Sequence, residues 1–153
     1  MVAVVTVVWI PLAAVLTPAN VADNEPAPTL LEQVPAEVRF VLGDRHSNTA
    51  SLHACCEQAN RWLVATKYGR YPHTDPGVKV RRVFHKLRSL AIENFNEHFK
   101  GIFDSHGQVP TKGLIATQRF TLGAIFVYQL ALLYRFEHDL DLCVGLKAFL
   151  KAA

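Results

Sequence analysis

Two carboxylates in this 153-residue chain stand where acidic side chains can hold a divalent cation. Asp44 ends an apolar run in VLGDRHSN, which places it at the carboxyl end of a strand, where sites in layered α/β domains gather. A plainer role is open to it as well: Asp caps helices and stabilises turns, because its short side chain accepts from nearby backbone amides. Glu93 lies in HKLRSLAIENFNEHFK, beside Ile92 and two residues before Phe95, at the border of an apolar helical stripe. A carboxylate there is costly without a cation, and an intrahelical ion pair or a bound Mg²⁺ would satisfy it equally well. Arg88, Asn96 and Lys100, at five residues before and three and seven after Glu93, can reach toward it or toward a phosphate.

Positive charge is concentrated around the second carboxylate. From Arg61 to Lys100, nine basic residues (Arg61, Lys67, Arg70, Lys79, Arg81, Arg82, Lys86, Arg88 and Lys100) stand against Asp75, Glu93 and Glu97, a local balance of +6 in a chain whose net charge is +3. Such a stretch attracts phosphate backbones by Coulomb steering and counterion release, although a solvated basic helix face would look the same in composition.

These residues need elements to position them. Half of the chain is hydrophobic, enough for the core of one domain spanning residues 1–153. Val2 to Trp9 and Ile10 to Leu16 read as buried strands, a hairpin pair turning near Trp9 to Pro11. A polar loop, TPANVADNEPAP, leads to a short helix at Thr29 to Gln33, a strand at Val38 to Leu42, a helix within Ser47 to Asn60 and a strand at Trp62 to Thr66. After the loop KYGRYPHTDPG, the residues Val80, Val83, Phe84, Leu87, Leu90, Ala91, Phe95 and Phe99 recur at helical spacing and predict one long amphipathic helix over 78–103. A closing apolar helix follows at about 117–136, with a short helical turn after Asp139. Alternating strands and helices define an α/β domain, a sheet with helices on its faces.

The first sixteen residues are uncharged but have no preceding Lys or Arg, are interrupted by Pro11 and are shorter than the roughly 20 residues of a spanning helix. Strands are therefore expected there; an exported or membrane-associated protein would instead be processed near Ala22. Three cysteines, Cys55, Cys56 and Cys143, do not make a disulfide framework and suggest a reducing, cytoplasmic setting. His53 with Cys55 and Cys56 lacks a second ligand pair at matching spacing, so a buried helix face is expected rather than a zinc corner.

The segment Val78 to Lys100, together with VLGD and LTPANVADN, resembles the DDE transposases of bacterial insertion sequences, of the type marked by a Tyr, Arg, Glu, Lys signature. In that family a strand ending in Asp supplies the second catalytic carboxylate and a later helix supplies the Glu, with a Lys seven residues beyond it. Glu93 and Lys100 match that interval. The family's Arg lies four residues before the Glu, where Ser89 stands here with Arg88 displaced by one, and Phe84 or His85 falls near the Tyr. The resemblance implies a ribonuclease-H-like mixed sheet flanked by helices, incomplete at its N-terminal edge. It also implies a metal site for Mg²⁺ or Mn²⁺ with Asp44 and Glu93 as catalytic ligands, the two ions about 3.5–4 Å apart for in-line phosphoryl displacement. Arg88 and Lys100 would grip phosphates, and Lys79, Arg81 and Arg82 would add sequence-independent contacts to double-stranded DNA at transposon ends. His46, His85 and His98 have no residue-level match.

The family's first Asp lies upstream of the strand at Val2, and Asp23, in the loop after a later strand, is no substitute. The expectation is therefore the C-terminal part of a transposase, inactive as an isolated chain. Its alternative is a non-catalytic DNA-binding remnant that regulates an intact transposase, alone, as a homo-oligomer or in mixed oligomers.

Overall fold

The computed structural model describes residues 1–5, 9–18, 20–22, 25–65, 78–103, 109–142 and 144–152. Its elements run β1 (Val2–Val4), β2 (Pro11–Ala14), α1 (Ala27–Glu32), β3 (Phe40–Gly43), α2 (Ala50–Gln58), β4 (Trp62–Ala65), α3 (Val78–Phe103), α4 (Leu114–Glu137) and α5 (Leu146–Ala152). The architecture is mixed α/β, and the described strands form two two-stranded sheets, β1 with β2 and β3 with β4. The chain divides into two units, the first made of Met1–Ala3 and Leu12–Leu90, the second of Val4–Pro11 and Ala91–Ala153.

In the first unit, β3 and β4 pair in parallel with Phe40 opposite Trp62 and Gly43 opposite Ala65. Parallel strands cannot be joined by a tight turn, and α2 is the crossover between them. Thr49 starts that helix, its hydroxyl accepting from the Leu52 amide at 3.3 Å. Asn60 ends it in the left-handed region at φ 55°, which Asn tolerates better than most residues. The Arg61 amide then bonds back to the Cys56 carbonyl at 2.8 Å and the Asn60 amide to that of Glu57 at 2.9 Å, the paired bonds of a Schellman stop.

That stop delivers Arg61 into the interior, 7% exposed, where its guanidinium donates to the carbonyls of Leu31 at 2.6 Å, Val34 at 2.7 Å and Pro35 at 3.3 Å. These carbonyls lie at and beyond the end of α1, where the regular helical pattern stops; those of Leu31 and Pro35 also accept from the amides of Val34 at 3.3 Å and Val38 at 3.1 Å, and Arg61 takes up their remaining capacity. Around this link sit two small apolar clusters, one of Ala27, Leu31, Leu52 and Cys56, the other of Ala13, Leu30 and Val34.

The expected buried strands of the amino terminus are shorter and only half covered: β1 is partly buried along its length, and in β2 only Pro11 and Ala13 are buried. A two-stranded ribbon has one face for a core, so an unbroken apolar run does not require two. Pro11 takes the first position of its strand, where a missing amide is tolerated.

In the second unit, aromatic side chains make the core. Phe95 meets Tyr128 edge-on at 5.6 Å and stacks on Phe99 at 5.5 Å, and Phe99 meets Phe103 at 4.9 Å. Helix α4 ends in a second Schellman stop, with Asp139 at φ 51° and the Leu140 amide bonded to the Arg135 carbonyl at 2.8 Å. Arg135 secures the following loop by donating to the carbonyls of Asp141 and Val144.

Helix α3 spans the residues the apolar spacing predicts, but the stripe is buried only in part. Ala91 and Phe95 are buried, whereas Val80, Val83 and Leu90 are 57%, 59% and 46% exposed. In the first unit the stripe meets Phe40 through Phe84, ring centroids 5.4 Å apart, while the apolar clusters of that unit gather around α1, α2 and the strands. Helical periodicity fixes which residues share a face, not whether a layer covers it.

Candidate functional site

Asp44 stands one residue beyond β3, at its carboxyl end, as its place after VLG leads one to expect. Its Oδ1 accepts from the Ser47 amide at 3.0 Å and the Ser47 hydroxyl at 2.9 Å, and its Oδ2 lies 3.3 Å from His46 Nδ1. Burial pushes the Asp44 carboxyl up, but the bonds from Ser47 and the hydrogen bond and charge of His46 outweigh it and hold the group below the usual carboxylate range. Asp44 is therefore ionised at neutral pH, partly buried, and fixed in direction. It carries the turn role in full, and its carboxylate chemistry remains that of a hard oxygen ligand.

The backbone before it has no spare room. A Cβ on Gly43 would lie 2.6 Å from Ser47 Cβ and 3.1 Å from Ser47 Oγ, so the absence of a side chain at Gly43 is what lets Ser47 close on Asp44. Sequence reasoning misses Ser47 and gives His46 no definite role. The signal that could have found Ser47 is its three-residue interval from Asp44, which suits an acid accepting from a turn amide.

Glu93 belongs to the second unit, on α3, where it is exposed and makes no ion pair among the described residues. The border position read from the sequence is thus a solvent-facing one, and no burial cost demands a cation. Lys100 follows two turns later in the same unit and is also exposed. Asp44 lies in the first unit, so the two carboxylates are each placed within their own unit. No group of three or more His, Cys, Asp or Glu side chains able to hold a metal is assembled among the described residues.

The expected phosphate contacts divide by environment. Lys79, Arg82 and Lys86 are exposed at helical spacings of three and four residues, on one face of α3. Arg81 and Arg88 are half-buried; Arg88 donates to Ser89 Oγ at 3.4 Å, and its Nε is buried with no hydrogen-bond partner. Arg61, counted with the basic stretch, is taken by α1 and is closed to any ligand. Lys67, Arg70 and Asp75, the aromatic loop around them, and also Asp23 and Cys143, lie outside the described residues.

Cys55 and Cys56 carry free thiols on α2, and burial, reinforced by Cys55, pushes the Cys56 thiol up despite Arg61. A buried protonated thiol packed among Ala27, Leu31 and Leu52 is core, which fits the expectation of a helix face. No helix among the described residues is long and apolar enough to cross a membrane.

The family model of the transposase DDE domain matches residues 2–130, and the chain belongs to that family. Its function class is thereby DNA transposition. No curated protein and no solved structure matches the chain.

Proposed function

We propose that residues 1–153 are catalytic-domain sequence of a DDE transposase of an insertion sequence, with a ribonuclease-H-like layout and Asp44 and Glu93 as two of its metal-binding carboxylates. The observation that carries the reading is Asp44: an ionised, directed carboxylate at the carboxyl end of a parallel strand, in a chain of this family. The residues suit the group, since Asp44 and the exposed Glu93 are oxygen donors of the kind Mg²⁺ and Mn²⁺ prefer. When bound, the metal pair supplies Lewis acidity for phosphoryl transfer between DNA strands. The chain's own residues bind and orient. Ser47 and His46 aim the Asp44 carboxylate, while Lys79, Arg82 and Lys100 bear on the phosphate backbone, with Arg81 and Arg88 at the margin of that face.

Two readouts test this without requiring turnover. Titrating Mn²⁺ into the full chain by calorimetry, Asp44→Asn and Glu93→Gln should each weaken binding at least about tenfold, while duplex binding in mobility shifts is retained. Lys79→Ala with Arg82→Ala should leave Mn²⁺ binding intact and lower the slope of log affinity against log salt by about 0.9 for each phosphate that is no longer neutralised. Unchanged Mn²⁺ affinity in both carboxylate variants would refute the metal site, and with duplex binding intact the chain would act as a DNA-binding regulator instead.

A further inference from the structure

Helix α4 is apolar on two opposite faces. One face packs within its own unit through Ala124, Ile125, Tyr128 and Leu132. The other carries Ile115, Leu122, Phe126, Leu130 and Leu133, which are 66%, 43%, 59%, 48% and 52% exposed, with Phe136 at its edge 69% exposed. Their successive intervals of seven, four, four and three residues hold them on one line along the helix. A helix apolar all round is a buried helix, and a continuous exposed stripe of this length marks an interaction surface.

We infer that this stripe is a two-fold interface in which α4 pairs antiparallel with α4 of a second copy of the chain. The charges on the line select that occupant. Arg119 and Glu137 fall in register with the stripe, near its two ends, and the midpoint between them coincides with the midpoint between Phe126 and Leu130. Turning one copy end over end about that point sets Arg119 against the partner's Glu137, and Phe126 against the partner's Leu130, each pairing occurring twice as an isologous interface requires. Gly123 comes opposite the partner's Leu133, a small residue facing a large one. Glu137, a carboxylate in the last turn of its own helix, is on the wrong end of the helix dipole, and a cation from the partner relieves that. A parallel pairing would instead align like charges.

The area is sufficient. Six large apolar side chains that are about half to two-thirds exposed offer on the order of 600 Å² per copy, hence about 1,200 Å² for the pair, which reaches the lower bound of stable specific interfaces.

Sedimentation equilibrium of the full chain tests the inference, with a reversible monomer–dimer equilibrium as the expected result. Phe126→Asp, at an exposed position that leaves the Tyr128 side of α4 untouched, should weaken association at least about a hundredfold. Arg119→Glu, which places like charges at two sites, should weaken it about tenfold, and Arg119→Glu combined with Glu137→Arg should restore it. Monomer at every concentration, open-ended aggregation, or a dimer indifferent to Phe126→Asp would overturn the interface. A dimer that Phe126→Asp breaks but the double charge exchange fails to restore would overturn the antiparallel register. If Phe126→Asp lowers the helical circular dichroism of the monomer, the charge exchange alone decides.

Discussion

Replacing Arg61 by Met removes a cation that the charge count alone would assign to a ligand. Met fills much of the same space, so the change isolates the polar interactions. Two short bonds, to the carbonyls of Leu31 at 2.6 Å and Val34 at 2.7 Å, and one longer bond to Pro35 disappear. Bonds to a charged group contribute about 1.5–3 kcal/mol each, and the two short ones together set a loss of about 4 kcal/mol. Part of this is offset, because Arg61 Nε is already buried without a partner and its desolvation cost, about 1–2 kcal/mol, goes with the side chain. The net destabilisation expected is about 2–3 kcal/mol, which corresponds to roughly 30- to 150-fold faster amide exchange where exchange requires opening of the first unit. Hydrogen exchange read by mass spectrometry over residues 27–65 measures it, with residues 114–137 as an internal reference. Arg61→Lys should fall between the two, because an ammonium cannot span both carbonyls in the fork a guanidinium makes. Protection over residues 27–65 within about threefold of the parent for Arg61→Met would refute the claim that this side chain ties α1 to the end of α2.

Three further outcomes follow from the same geometry. Asp44, held below the ordinary carboxylate value, stabilises the fold when ionised, so its contribution is complete above about pH 4 and is lost as pH falls through the lower folded value; the melting-temperature gap between the parent and Asp44→Asn should shrink on acidification below about pH 4. Gly43→Ala should cost about 1–3 kcal/mol in chemical denaturation and should shrink that gap at neutral pH, because the new Cβ displaces Ser47 from Asp44. Phe95→Ala empties a site only 2% exposed between Phe99 and Tyr128 and should cost about 3–5 kcal/mol, read as a lowered thermal midpoint of the helical circular dichroism signal.

Much of the secondary structure is legible in the sequence because its signals are local. The three- and four-residue spacing of apolar positions fixes α3 from Val78 to Phe103, and Gly43 with Asp44 marks the end of β3. Helix α4 begins three residues earlier than its apolar content suggests, because Gly113, at φ 86°, is the break and Leu114 already follows it. The turn expected after Asp139 is a seven-residue helix, α5. What a local signal cannot carry is cover and company. Val80, Val83 and Leu90 obey helical periodicity and remain exposed, since the pattern says nothing about a facing layer. Arg61 reads as one more cation in a basic run, and only the Schellman stop at Asn60, a feature of three-dimensional chain direction, turns it inward. Asp44 reads as a turn acid or a metal ligand, and its bonds to Ser47 show the first role to be real while leaving its charge open to the second.

The parallel register of β3 and β4 has a consequence for the order of assembly. Phe40 and Trp62 become neighbours only after the 22-residue span from one to the other has folded back on itself, so the pairing repays the entropy of closing that loop late. Helix α2, with its Thr49 start and Asn60 stop, can form from interactions between residues only a few positions apart and shortens the search by fixing most of the connecting chain. During synthesis, then, β3 emerges with unpaired amides and carbonyls well before its partner strand exists. Phe40, Val41 and Leu42 are the stretch a nascent-chain chaperone would have to shield in that interval.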